Sequence, residues 1–190
     1  MNRAASGQVR IIAGILRGSK LPVLDLPGLR PTSDRVRETL FNWLQDRIAG
    51  RRVLDLFAGT GALGFEAASR GAAEVQMLER DPQLANALRA TAVRLKATAV
   101  RVDCVDALAW LRKAPESRFD LIFVDPPFAA NLWTEVAKAL KPWLAEGAWI
   151  YLESGHDDRI ELPAEWQLSR EGRTREVRYA LYRERSTQGR

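Results

Sequence analysis

Four short apolar runs, R-V-L-D-L-F (52–57), E-V-Q-M-L-E (74–79), A-V-R-V-D (99–103) and F-D-L-I-F-V (119–124), are each followed by a helix signal. The helices are expected from the glycine-rich stretch after Gly59, over Pro82–Lys96, around Ala107–Lys113 and over Leu132–Leu140. Strands alternating with helices in this way build a doubly wound parallel sheet covered on both faces. A fifth run, A-W-I-Y-L-E (148–153), extends the sheet, and the tail from Trp166 to Arg183 alternates around a Glu-Gly turn as an antiparallel hairpin should. Upstream, Thr32, Ser33 or Asp34 can cap a helix whose apolar residues Val36, Leu40, Phe41 and Leu44 recur at helical spacing. The first segment, V-R-I-I-A-G-I-L-R-G-S-K-L-P-V, reads as a basic β-hairpin broken by Gly14 and Gly18.

At 190 residues the chain suits one α/β domain with a substantial core. No apolar run approaches membrane-spanning length, and the opening M-N-R-A-A-S-G-Q-V-R lacks the apolar stretch of a signal peptide. One cysteine, Cys104, and one histidine, His156, leave no basis for a disulfide, a zinc cluster or Ser-His chemistry. A reducing cytoplasm, no metal and no membrane partner are therefore expected. The net charge of +5 is unevenly placed: residues 1–37 carry +5, residues 166–190 carry +4, and the middle is left with −4. Basic ends around an acidic middle suit a phosphate-backbone partner gripped by Arg10, Arg17, Lys20, Arg30 and Arg35. Two solvated tails are the plain alternative.

The loop after the first run reads Asp55-Leu-Phe-Ala-Gly59-Thr-Gly61-Ala-Leu-Gly64. Glycines let the backbone approach a ligand, and the helix that follows offers free N–H groups. Glu79 ends the second run, where a carboxylate can accept both hydroxyls of a ribose. NAD and S-adenosylmethionine (SAM) both fit that pair. Asp55 separates them, because a carboxylate at the loop entrance repels a pyrophosphate and tolerates a sulfonium and an ammonium. Asp106, after the third run, can accept from an adenine amino group or simply cap the next helix.

The fourth run ends in Asp125-Pro126-Pro127-Phe128. Two prolines cannot extend a central strand, so the chain leaves the sheet there as a stiff loop. An amino group on an aromatic base is a poor nucleophile, since its lone pair is delocalised into the ring. If Asp125 and the Pro126 carbonyl accept its two N–H bonds, the nitrogen is steered toward tetrahedral geometry and its lone pair can meet a methyl group. Phe128 can stack on a base that has been flipped out, or serve as ordinary packing.

D-L-F-A-G-T-G-A-L-G, L-E-R-D and V-D-P-P-F together resemble a class I SAM-dependent N-methyltransferase. With R-I-I-A-G-I-L-R-G-S-K-L and R-P-T-S-D-R-V-R-E-T-L-F-N-W-L upstream, the chain resembles the RsmD family of 16S rRNA guanine-N2 methyltransferases from about Val9 to Arg183. It departs in reading A-G-I-L-R-G where such enzymes often carry an aromatic before the arginine.

The resemblance implies a seven-stranded Rossmann-like class I methyltransferase sheet with helices on both faces, plus a small basic N-terminal β-hairpin extension. Residues 1–30 would form the extension, 31–185 the methyltransferase domain and 186–190 a tail. SAM would lie against Asp55, Gly59, Gly61, Glu79 and Asp106, with Pro31, Thr32 and Arg35 near its methionine end or the target base. Asp125, Pro126, Pro127 and Phe128 would hold the amine. The implied partner is one guanine of 16S rRNA, in a hairpin loop in the head of the small (30S) subunit; a monomer is the default expectation. A DNA adenine methyltransferase, a non-catalytic RNA-binding assembly factor and an NAD-dependent dehydrogenase are the rivals. Against them stand, in turn, little room for a target-recognition domain, an intact glycine loop with Asp125, and no hydride-transfer acid.

Overall fold

The computed structural model describes residues 7–26, 32–126, 132–156, 158 and 160–185. Two short strands, β1 (Gly7–Arg10) and β2 (Lys20–Val23), form an antiparallel hairpin. Then follow α1 (Asp34–Trp43), β3 (Arg52–Asp55), α2 (Ala62–Ser69), β4 (Glu74–Glu79), α3 (Pro82–Arg94) and β5 (Val100–Cys104). The second half holds α4 (Ala107–Leu111), β6 (Phe119–Val124), α5 (Trp133–Leu140), β7 (Leu144–Gly155), β8 (Trp166–Arg173) and β9 (Val177–Glu184). β3 to β9 make one seven-stranded sheet in the order β5-β4-β3-β6-β7-β9-β8. The first five of these strands are parallel, and β9 runs antiparallel to both β7 and β8.

Period-two alternation sends successive side chains of each strand to opposite faces. Val53, Leu121 and Phe123 pack with Leu40 and Phe41 of α1, Phe65 of α2 and Leu88 of α3 on one face. Leu54, Ile122 and Val124 pack with Leu111 of α4 and Val136 and Leu140 of α5 on the other. Ser33 caps α1, its hydroxyl accepting from the Val36 N–H.

The N-terminal hairpin is tied into this core. Val9, Ile11, Leu21 and Val23 are buried with α1 and α2. The Glu66 carboxylate of α2 accepts from the Ile12 and Ala13 N–H groups, and Ser69 accepts from Leu16 N–H. A Cβ on Gly14 would lie 1.9 Å from the Ser69 carbonyl oxygen, at a φ of +83°, so only glycine permits the contact. Arg37, fully buried, donates to the Arg10 carbonyl and pairs with Asp34 and Glu66.

The C-terminal hairpin turns later than the Glu-Gly pair suggests. Gly172 lies inside β8 and faces Tyr179, whose ring would be 2.2 Å from a Cβ there. The turn is at Thr174–Glu176, where the Thr174 hydroxyl accepts from the Glu176 and Val177 N–H groups. A side-chain oxygen organises this turn, and the glycine makes room for an aromatic ring.

Candidate active site

In a parallel sheet of this kind the crevice opens at the carboxyl ends of the strands, where the strand order reverses. Here the reversal lies between β3 and β6, and a cavity of about 700 Å³ opens there. The ends of β3, β4, β6 and β7, the start of α4, Thr32 and the β8–β9 turn all reach it. Among the described lining residues seven are acidic (Asp55, Glu79, Asp81, Asp106, Asp125, Glu153, Glu176) and two basic (Arg80, Arg175). A cavity so lined attracts a cation and repels a pyrophosphate.

On the β3–β4 side the carboxylates are oriented by backbone. Glu79 accepts from the Gly59 N–H at 2.9 Å and the Asp81 N–H at 2.8 Å, one on each oxygen, and keeps further lone pairs. Asp55 is buried and accepts from the Gly64 N–H at 3.1 Å. Burial pushes its pKa up to about 7, with the Gly64 bond opposing and the Glu79 charge adding. Asp106 caps α4, accepting from the Ala109 N–H at 2.9 Å, while it also borders the cavity.

The glycines divide their work. Gly59 lines the cavity, but Gly61 does not: in a left-handed conformation (φ +76°) its open side faces Leu88 and the Phe65 ring. Gly64 likewise faces Met77 and the Asp55 carboxylate. The second and third glycines of the motif thus serve the turn and the helix–strand contact.

On the β6–β7 side the acids are oriented by side chains. Thr32 Oγ1 donates to Asp125 Oδ2 at 3.3 Å from 93 residues away. Burial, then the neighbouring Glu153 and Asp55 charges, push the Asp125 pKa well above the usual carboxylate range, and the Thr32 bond opposes them. Glu153, two residues before the end of β7, accepts from the Tyr151 hydroxyl at 2.8 Å. Its pKa is raised by burial, against the Tyr151 and Thr32 hydroxyls. Pro126 lines the cavity beside Asp125. Pro127, Phe128, Arg30 and Pro31 lie outside the described residues.

The cavity thus gathers Asp55, Gly59, Glu79, Asp106, Asp125, Pro126 and Thr32, and leaves out Gly61. Arg10, Arg17, Lys20 and Arg35 are exposed and do not line it. Sequence reasoning missed Glu153 and the turn carrying Arg175. An acid closing a buried apolar run is the signal that found Glu79, and A-W-I-Y-L-E carries the same signal for Glu153. Arg175 belongs to a hairpin whose tip was misplaced. Among the described residues no cluster of three or more acids, cysteines or histidines could hold a metal. No helix among them is long and apolar enough to cross a membrane.

Residues 9–183 match the family model described as conserved hypothetical protein 95, the RsmD family. The chain belongs to the RsmD family. It is 46% identical over 191 residues to the ribosomal RNA small subunit methyltransferase D of Escherichia coli K12, covering 99% of this chain and 96% of that protein. The solved structure described as putative methyltransferase yhhF from Escherichia coli superposes with a TM-score of 0.86 at 45% identity, over 95% of this chain and all of that one. An RNA methyltransferase from Salinibacter ruber, solved with S-adenosyl-L-homocysteine, shares the fold alone: TM-score 0.65, 16% identity, 84% of this chain and 97% of that one. The RsmD-family sheet described above is therefore that of the class I methyltransferases.

Proposed function

We propose that this chain methylates the exocyclic N2 amino group of one guanine in 16S rRNA, using SAM, on the small ribosomal subunit. The observation that carries the reading is the placement of Asp125 and Pro126 in the same cavity as Gly59 and Glu79. A motif that suits an aromatic amine and a motif that suits a nucleoside thus share one chamber. The relatives' name, ribosomal RNA small subunit methyltransferase D, supports the substrate class.

SAM, when bound, supplies a methyl group on a positively charged sulfur. Glu79 would accept from the ribose hydroxyls, its carboxylate already aimed by two backbone donors. Asp106 would accept from the adenine amino group, and the Asp55 carboxylate would face the cationic end. These residues fit: the acidic lining matches a ligand with ammonium and sulfonium charges and no phosphate. Across the cavity, Asp125 and the Pro126 carbonyl would accept the two N–H bonds of the target amine and free its lone pair. As the methyl carbon passed from sulfur to nitrogen, an ionised Asp125 would stabilise the cationic nitrogen and then take up one of its N–H protons, a role its raised pKa suits. Positioning and electrostatics suffice, with no covalent enzyme intermediate.

The basic β1–β2 hairpin and the arginines of β8–β9 would hold the RNA backbone, with the enzyme acting as a monomer in the cytoplasm. Methyl transfer from labelled SAM to unmethylated 30S subunits, free 16S rRNA and duplex DNA, followed by digestion to nucleosides, tests the proposal. Label in N2-methylguanosine, strongest with 30S subunits, is expected. Label confined to N6-methyladenine in DNA would overturn the substrate, and no label with SAM bound would leave a binding factor.

A further inference from the structure

Glu153 has no role in the chemistry above, yet it is 6% exposed and lines the same cavity. The register pairs Val124 of β6 with Leu152 of β7, so Asp125, one residue past β6, lies level with Glu153, which is still within β7. Its backbone is pinned, since Trp133 Nε1 donates to the Glu153 carbonyl at 2.9 Å. Tyr151 holds one carboxylate oxygen. The Thr32 hydroxyl lies against both acids and has one proton to give, which goes to Asp125. A second buried acid beside the first raises the cost of ionising both. An acid kept there against that cost is explained by a ligand that brings hydrogen-bond donors to both.

The base edges make this specific. In adenine and cytosine the exocyclic amine neighbours a ring nitrogen that only accepts. In guanine the N2 amine neighbours N1–H, so that edge offers donors side by side. Two adjacent carboxylates offer acceptors side by side, and they would meet an adenine N1 or a cytosine N3 lone pair with repulsion. Resting on the guanine-N2 reading, we propose that Glu153 is a specificity-determining residue that accepts the guanine N1–H while Asp125 holds the N2 amine. The Tyr151 hydroxyl favours the charged, accepting form of Glu153. A site whose buried polar groups are left unpaired by the wrong substrate discriminates more strongly than one relying on shape.

The test uses the full-length enzyme and small-subunit rRNA carrying either guanine or 2-aminopurine at the methylated position. 2-Aminopurine keeps the 2-amino group and lacks N1–H; its missing O6 affects wild type and variant alike. Single-turnover rates give a guanine to 2-aminopurine ratio for each enzyme. In Glu153→Ala the ratio should fall about 10- to 100-fold from the wild-type value, as expected for a lost hydrogen bond to a charged group. The loss should lie in the guanine rate, with SAM affinity kept. Glu153→Gln, whose amide oxygen can still accept, should recover part of the ratio, and this conservative variant carries the test if the alanine variant does not fold. N2-methylguanosine as product with an unchanged ratio in both variants would overturn the role of Glu153 alone. A product other than N2-methylguanosine from unmodified rRNA would overturn the guanine reading and this inference together.

Discussion

The two walls of the cavity hold acids by different means. Glu79, Asp55 and Asp106 on the β3–β5 side are aimed by backbone N–H groups that lie within about two turns of chain, except for the Gly59–Glu79 bond between neighbouring loops. Asp125 and Glu153 on the β6–β7 side are aimed by the hydroxyls of Thr32 and Tyr151, the former 93 residues away. Backbone donors favour the ionised acid and are present whatever the side chains. The Thr32 hydroxyl depends on the docking of a distant segment, and both hydroxyls oppose the burial that raises the pKa values of Asp125 and Glu153. The first wall is set by main-chain geometry; the second depends on which side chains stand beside it.

If that division holds, the walls separate under mutation. Asp125→Ala should lower the single-turnover rate of methyl transfer by about 10²- to 10³-fold, the loss expected for a group stabilising transition-state charge. Its SAM dissociation constant, measured by calorimetry, should stay within about threefold of wild type. A parallel collapse of SAM binding would merge the two walls into one. Glu79→Ala should do the converse, weakening SAM by about 10- to 100-fold through lost charge-assisted hydrogen bonds. At saturating SAM its rate should recover most of the wild-type value.

Neutralising Arg10, Arg17 and Lys20 together sharpens the contrast, since all three are exposed and outside the cavity. Affinity for rRNA should drop about tenfold, and the slope of log affinity against log salt should flatten by about 2 to 3. The rate with bound rRNA should be kept. An unchanged slope would assign these residues to a solvated surface. The smallest effect concerns Asp55, whose pKa near 7 places its proton within reach of ordinary buffers. Below that pH the carboxyl is mostly protonated, and a cationic ligand must expel the proton to gain the charge. SAM affinity should therefore tighten about three- to tenfold as pH rises from 6 to 8, and Asp55→Asn should flatten that profile. Tighter binding at the lower pH would contradict the pairing of Asp55 with the cationic end.

The same division explains what could be read before the fold was known. Runs such as E-V-Q-M-L-E and F-D-L-I-F-V announce buried parallel strands, and a loop with glycines between them announces the crevice. Both signals are local. The Ser33 cap and the Asp81 cap with Pro82 behind it are local too. Gly61 faces Leu88 and Phe65 rather than the cavity, and in one chain a glycine required by a turn and a glycine required by a ligand look alike. Thr32 is expected near the methionine end or the target base, and its bond to Asp125 depends on how α1 packs across the sheet. Glu153 went unread because a buried acid at a strand end acquires meaning only from its neighbour on β6. The Glu171-Gly172 turn failed because the packing of Tyr179, set by pairing across the sheet, claimed that glycine first.

A crystal structure of the chain with S-adenosyl-L-homocysteine tests the central claim most directly. The ribose hydroxyls should lie on Glu79 and the adenine amine toward Asp106, with the sulfur facing Asp125 across the Gly59 loop. A nucleoside seated against Asp125 and Glu153, with Glu79 turned away from it, would contradict the division between the walls and the proposed reaction with it.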